Sequence, residues 1–220
     1  VKPPFAFGHE LAVLEQAVAK GARGVGFAPS GRVVLTGSGD RCFAAGGDLQ
    51  ELDAIRTTIE ARRMSELGHD ALDEIRYFPV PVIGAINGLA LGGGAELAMA
   101  CDIRVAAAHA DLGLIQAQLN VTTAWGGGID LINAVGNNAA LAILSSGKRL
   151  TATEALQLRI YDAVCPAAAD FGAFVTEFLG GYLSKSTNVL RDSTGFLTHS
   201  VRFANRVDQT CLTMVYVTHE

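Results

Sequence analysis

The run Pro81-Val82-Ile83-Gly84-Ala85-Ile86-Asn87-Gly88-Leu89-Ala90-Leu91-Gly92-Gly93-Gly94-Ala95-Glu96-Leu97-Ala98-Met99-Ala100-Cys101-Asp102 restricts the possible folds of this chain more than any other. Its first half is β-branched and small apolar residues without alternation, the pattern of a strand covered on both faces. Gly92, Gly93 and Gly94 break that run, and Glu96 to Ala100 are mostly good helix formers, so the segment reads as strand, glycine turn and buried helix. The turn lets main chain approach a ligand closely, and the amides that open the helix have no partner inside it and suit an anionic oxygen. Three glycines serve equally well to pack a strand tightly on a helix. Glu96 adds the chemical reading: a carboxylate in the first turn of an apolar helix is costly unless paired, and beside an anion-stabilising turn it is a natural acid/base.

With 220 residues, half of them hydrophobic, one domain with a proper core is expected. A net charge of −5 without a Lys/Arg cluster argues against nucleic acid or an anionic membrane surface as partner. The longest apolar run is interrupted by glycines and Glu96, and Val1-Lys2-Pro3-Pro4 lacks the shape of a signal peptide, so a soluble cytoplasmic protein without a membrane partner is the expectation. Since residue 1 is Val and not Met, residues preceding it stay open. Cys42, Cys101, Cys165 and Cys211 lack metal-ligand spacing and read as reduced packing residues, with no metal site.

Along the chain, residues 10–20 put Leu11, Leu14 and Val18 on one helical face, and a glycine-rich loop with Pro29 leads to a short buried strand over residues 32–37. Cys42-Phe43-Ala44-Ala45-Gly46-Gly47-Asp48-Leu49 follows. Its small residues leave main chain exposed, and Asp48 before Leu49 and Glu51 opens a short helix; alone, the run is as much a tight turn as a site. Residues 57–77 form an amphipathic helix with Met64, Leu67, Ala71, Leu72 and Ile75 inward, His69 reading as a surface or packing residue, and Pro79 and Pro81 ending it. Short strands are expected at residues 103–107 and 109–114, and Thr151 with Glu154 forms a capping box. Trp125, the single tryptophan, precedes three glycines and either caps one end of a pocket or packs on the following helix. Phe171, Phe174, Val175, Phe178, Leu179 and Tyr182 form an apolar stripe for a core or subunit-contact face, and residues 190–218 read as weakly periodic helices.

Taken together, the central run and Cys42–Leu49 resemble the enoyl-CoA hydratase/isomerase, or crotonase, family. That family's pattern is a hydrophobic strand, N-G, small residues, GGG-x-E-L-A and a C-D pair, preceded by F-x-A-G-x-D-L, and the likeness covers roughly residues 33–164. It implies an α/β crotonase (ClpP-like) spiral of repeated β-β-α units over residues 1–165, with a C-terminal helical region over 166–220 used for oligomerisation. It implies an acyl-CoA thioester as substrate, no metal or redox cofactor, and a homotrimer or dimer of trimers. By the same likeness the N–H groups of Gly47 and Gly93 form an oxyanion hole, Glu96 carries the proton, and Ala45, Asp48, Leu49, Trp125 and Gly126 lie around the substrate.

One departure bears on the reaction. Hydratases of the family place a second glutamate in a motif like F-G-x-P-E, and counting from Cys101-Asp102 without gaps puts Gln116 there. A glutamine can orient a water but cannot take its proton, so hydration of a 2-enoyl-CoA, the family's default lyase reaction, rests on Glu96 alone. The W-G-G at residues 125–127 without a second glutamate resembles the branch that decarboxylates alkylmalonyl-CoA thioesters, which needs an oxyanion hole and one proton donor. A protein that binds CoA esters without turnover is the alternative of a different class. Arg159-Ile160-Tyr161 replaces the usual G-L/M-V, in what reads as scaffold.

Overall fold

Apolar β-branched runs and short helices alternate along the chain, and in the computed structural model, which describes residues 32–47, 49–78, 81–183 and 212–217, they wind as a spiral between two sheets. Strand β1 (Arg32–Gly37) is followed by β2 (Cys42–Ala44) and helices α1 (Leu49–Ala54) and α2 (Thr58–Arg76). The next turn holds β3 (Val82–Ile86), β4 (Leu89–Leu91) and α3 (Gly93–Ala100). The third holds β5 (Ile103–Ala107), β6 (Asp111–Gly113), a 3-10 turn over Ile115–Leu119, α4 (Gly127–Val135) and α5 (Asn137–Ser146). Then come β7 (Leu150–Thr151), α6 (Ala152–Gln157), β8 (Ala163–Cys165), α7 (Phe171–Leu183) and β9 (Leu212–Val217).

The first strand of each turn enters a five-stranded sheet ordered β8-β5-β3-β1-β9, the second a four-stranded sheet ordered β2-β4-β6-β7. Pairing is parallel from turn to turn: Val33 faces Val82, Ile83 faces Ile103, and Leu91 faces Gly113. This is the crotonase spiral that the family resemblance implied.

The central run is two strands, where one was expected. It bends at Asn87-Gly88, so β3 and β4 belong to different sheets. The apolar composition continues unbroken through the bend because both strands are buried. Asn87, 5% exposed, makes the corner: Oδ1 accepts from the Gly37 N–H at 2.9 Å, and Nδ2 donates to the carbonyls of Gly37 and Gly39 at 3.0 and 2.8 Å. The side chain thereby pairs main-chain groups that leave the β1 ladder where the chain crosses between sheets.

Helix α3 lies at the centre, with Gly94 through Ala100 all buried. Asp102 Oδ2 accepts the Val82 N–H at 2.8 Å, and Arg104 donates to the carbonyls of Met99, Cys101 and Ile160, pairing the C-terminal end of α3. The expected capping box of Thr151 with Glu154 forms, and a second joins Thr57 and Glu60 at the start of α2. The α7 stripe is a core face, with Val175 and Leu179 buried beside Val34, Ile83, Ala85 and Val105. Cys42, Cys101 and Cys165 form no disulfide among the described residues. Among the described residues no helix is long and apolar enough to cross a membrane.

The C-terminal reading needs correction. Leu212–Val217 is a strand, not helix, antiparallel to β1 from Arg32 opposite Val217 to Gly37 opposite Leu212. Its L-T-M-V-Y-V composition favours pleated pairing, and an unpaired β1 edge supplies the partner. The helix expected over residues 10–20, Cys211 and Asp48 lie outside the described residues.

Asn87→Ala is expected to destabilise the protein by roughly 3 kcal/mol, because it orphans buried main-chain groups at the crossing of the sheets. Chemical denaturation of the variant and the parent measures the difference.

Candidate active site

Glu96 sits one helical turn into α3 and is 2% exposed. A carboxylate at such a depth needs donors from elsewhere, and two other segments supply three of them. The Gln116 Nε2, on the 3-10 turn, donates to Oε1 at 2.9 Å, while the main-chain N–H groups of Trp125 and Gly127 donate to Oε2, each at 2.9 Å. The last two belong to the turn that opens α4, so the carboxylate caps that helix from outside. Among the described residues Glu96 has no ion-pair partner. Burial disfavours its charged form more than the donors from Gly127, Trp125, Gln116 and Ala124 favour it, and its pKa is raised above the ordinary carboxylate value.

The two glycine turns meet beside it. Gly46 has φ +97°, and a side-chain carbon there would lie 2.9 Å from the Gly93 nitrogen and 3.1 Å from the Leu91 carbonyl oxygen, so only glycine admits this contact. The Gly46–Gly47 main chain is thus pressed against the opening of α3. Neither the Gly47 nor the Gly93 N–H has a partner among the described residues, whereas the neighbouring Gly92 N–H is bonded to the Gly113 carbonyl at 2.8 Å. Both readings of the triple glycine therefore hold together: it allows close packing, and it leaves donors free.

The Trp125 indole spans this junction. A side-chain carbon at Gly93 would collide with its Cζ3, one at Gly68 on α2 would collide with its Nε1 and Cδ1, and one at Gly47 would lie 3.8 Å from its Cη2. The ring thus packs across α2 and the two glycine turns. Two buried polar atoms have no hydrogen-bond partner among the described residues: Gln116 Oε1, on the side chain that bonds the carboxylate, and Trp125 Nε1, against Gly68.

Of the residues singled out in the sequence, the structure brings Gly47, Gly93, Glu96, Gln116 and Trp125 into one place. Gly126 forms the turn between Trp125 and α4 with φ +92°. Ala45 is exposed just before Gly46, Leu49 begins α1, and Asp48 lies outside the described residues. His69 is an exposed surface residue, 3.7 Å from Asp73. Three participants escaped the sequence reading. Gly68 makes room for the indole, and Arg76 and Asp130 pair at 2.7 Å behind the Trp125 turn. A glycine inside an otherwise good helix was the one available signal for Gly68. Arg76 at a helix end and Asp130 in a first helical turn look like ordinary dipole partners.

A two-sheet β-β-α spiral with glycine turns converging on a buried carboxylate defines a crotonase-fold protein. Residues 29–214 match the family model described as enoyl-CoA hydratase/isomerase, and the chain belongs to that family. It is similar to the short-chain-enoyl-CoA hydratase of Clostridium acetobutylicum, with 38% identity over 132 residues, covering 60% of this chain and 50% of that protein. A probable enoyl-CoA hydratase of Bacillus subtilis is 40% identical over 126 residues, covering 57% and 48%. Among solved structures, the enoyl-CoA hydratase of Bacillus anthracis superposes with a TM-score of 0.72 at 31% identity, covering 82% of this chain and 68% of that one. Pseudomonas aeruginosa DspI gives 0.65 at 32%, covering 73% and 65%. The chain spans about half the length of these curated relatives.

Gly68→Ala forces the indole out of its seat. Overpacking of about 1–3 kcal/mol is opposed by about 1 kcal/mol of helix propensity, so a small net loss of stability is expected. Emission from Trp125, the only tryptophan, is expected to shift to longer wavelength as the ring becomes wetter.

Proposed function

We propose that this chain is an acyl-CoA-processing enzyme that stabilises a thioester enolate, with hydration of 2-enoyl-CoA as its reaction. The observation that carries the reading is a buried, unpaired-by-charge carboxylate beside two glycine N–H groups that have no partner among the described residues. The names of the hydratase relatives support it. In this reaction the thioester carbonyl oxygen accepts from the Gly47 and Gly93 N–H groups. Water adds through its oxygen to C3, one water proton passes to Glu96, the C2–C3 π electrons move into the enolate, and Glu96 returns the proton to C2. Gln116 fixes Glu96 through Nε2, and its unpartnered Oε1 is an acceptor for the attacking water. Two donors aimed at a developing oxyanion are each worth about 3 kcal/mol of transition-state stabilisation. Trp125 forms the wall beside the reacting thioester, and the chemistry calls for no metal or redox cofactor.

A second reading, decarboxylation of a methyl- or ethylmalonyl-CoA thioester, is favoured by Gln116 standing where the two-glutamate pattern has an acid. Loss of carbon dioxide leaves an enolate that needs the same two N–H groups and one proton from Glu96. The reading further assigns the active form to a cytoplasmic homotrimer or dimer of trimers. Support for assembly comes from the exposed apolar side chains Leu119, Val121, Ile129 and Leu141, which a subunit contact would take out of water.

Incubation with crotonyl-CoA is expected to yield the 3-hydroxyacyl-CoA. Carbon dioxide from methyl- or ethylmalonyl-CoA with no 3-hydroxyacyl product would instead establish the second reading, and acyl-CoA binding without exchange of α-hydrogen in deuterated water would leave a binding protein. Glu96→Gln is expected to lower kcat by roughly 10² to 10⁴ while affinity for acyl-CoA stays nearly unchanged. Because water activation needs the ionised carboxylate, activity is expected to fall as pH drops through the raised pKa of Glu96, above the usual carboxylate range.

The same shift opposes stability. Below the ordinary carboxylate range Glu96 is protonated in both states. As pH rises, the unfolded chain ionises first, so the folded state loses stability until its own higher pKa is passed. Glu96→Gln removes that loss. Its carbonyl can accept the Trp125 and Gly127 N–H groups, and Gln116 can turn its unpartnered Oε1 to the new amide. Thermal melts at pH 8 are expected to show this variant no less stable than the parent.

A further inference from the structure

The Trp125–Gly127 turn lies between the 3-10 turn and α4 and is gripped from two sides. Its amides face Glu96, while its carbonyls are taken by α2: Ser65 Oγ donates to the Ala124 carbonyl at 3.0 Å and Arg76 Nη2 to the Trp125 carbonyl at 2.8 Å. The guanidinium is itself fixed. Its Nη2 and Nε donate to the Asp130 carboxylate at 2.7 and 3.1 Å, and Nη1 donates to Asp73 at 2.9 Å. Only about 15% of the Arg76 side chain and 16% of Asp130 is exposed, so water screens this pair little. Burial works against the Arg76 charge, but Asp130 and Asp73 more than offset it and its pKa is raised. The fit leaves no slack: a side-chain carbon at Gly126 would lie 2.7 Å from Arg76 Nη2.

We propose that Arg76 is a positioning residue for Glu96, clamping with Asp130 the turn whose Trp125 and Gly127 amides hold the carboxylate. This rests on the reading of Glu96 as the proton carrier. Arg76 has no contact with Glu96 and acts through the turn. One guanidinium fork reaches both the Asp130 carboxylate and the Trp125 carbonyl, a geometry that an ammonium group cannot reproduce. When the clamp is loosened, the two amides drift from Oε2, and the charged form of Glu96 loses the bonds that favour it.

The test compares Arg76→Lys and Arg76→Gln with Asp73→Asn, which removes a partner of Arg76 on its own helix and leaves the Trp125 turn untouched. Among the described residues the other charged or titratable groups facing the clamp include His69 and Asp73 from α2, Asp130 from α4 and, beside Asp130, the Cys101 thiol at the end of α3, so the series is repeated in a His69→Gln background. Titration of the Glu96 carboxyl by ¹³C NMR in the ligand-free protein is expected to move to higher pH in both Arg76 variants and to stay in place in Asp73→Asn. Trp125 emission is expected to shift with it. With crotonyl-CoA, or whichever thioester the protein turns over, kcat is expected to fall roughly ten- to a hundredfold while KM changes by less than about twofold. If Arg76→Gln does not fold, Arg76→Lys carries the comparison. An unmoved carboxyl titration in a folded Arg76→Lys protein, or an equal movement in Asp73→Asn, overturns the proposal. Full turnover by Glu96→Gln would defeat the reading of Glu96 instead, and the carboxyl titration would still report on the clamp.

Discussion

An ionisable carboxyl group inside an apolar helix has to be satisfied by chain segments other than its own, and this requirement organises the centre of the molecule. Leaving a carboxylate dry and unpaired costs several kcal/mol, more than a small domain can absorb at one position. Glu96 meets the requirement with one side-chain donor from Gln116 and two main-chain donors from the opening of α4. Satisfying it therefore fixes the 3-10 turn and α4 relative to α3. Burial still outweighs the donors, and the group is left more basic than a surface glutamate, as suits a side chain that takes and returns a proton.

The arrangement depends on how the two sheets are wound. Because each β-β-α turn sends its first strand to one sheet and its second to the other, the glycine turns that follow β2 and β4 are stacked. Gly46 and Gly93 touch for that reason, although 47 positions separate them in the chain. Asn87 makes the crossing possible by pairing main-chain groups of Gly37 and Gly39 that the bend would otherwise strand. The free donors of Gly47 and Gly93 are thus consequences of the winding as much as of the glycines.

The part of this organisation visible in the chain is the part that is local. The Thr151–Glu154 capping box, the inward face of α2, the short buried strands and the glycine turn into α3 follow from spacing and residue type within a few positions. The two motifs around Gly47 and Glu96 carried the family likeness, and the α7 stripe marked a buried face. The bend at Asn87 was hidden because both flanking strands are buried and neither alternates. The strand at Leu212–Val217 was hidden because pairing with β1, across nearly the whole chain, decides between helix and sheet for a short apolar run.

By itself the sequence determined the main helices, the glycine turns, the family, and the residue types capable of the chemistry, because hydrophobic period, caps and glycine turns act over a few residues. Only the tertiary structure decided that Gln116, Trp125 and Gly127 close around Glu96, that the indole seats against Gly68, and that Arg76 grips the Trp125 turn from behind. Those contacts join positions 20 to 57 residues apart, and the directions of individual N–H groups and rings arise only once the spiral has brought its turns into register.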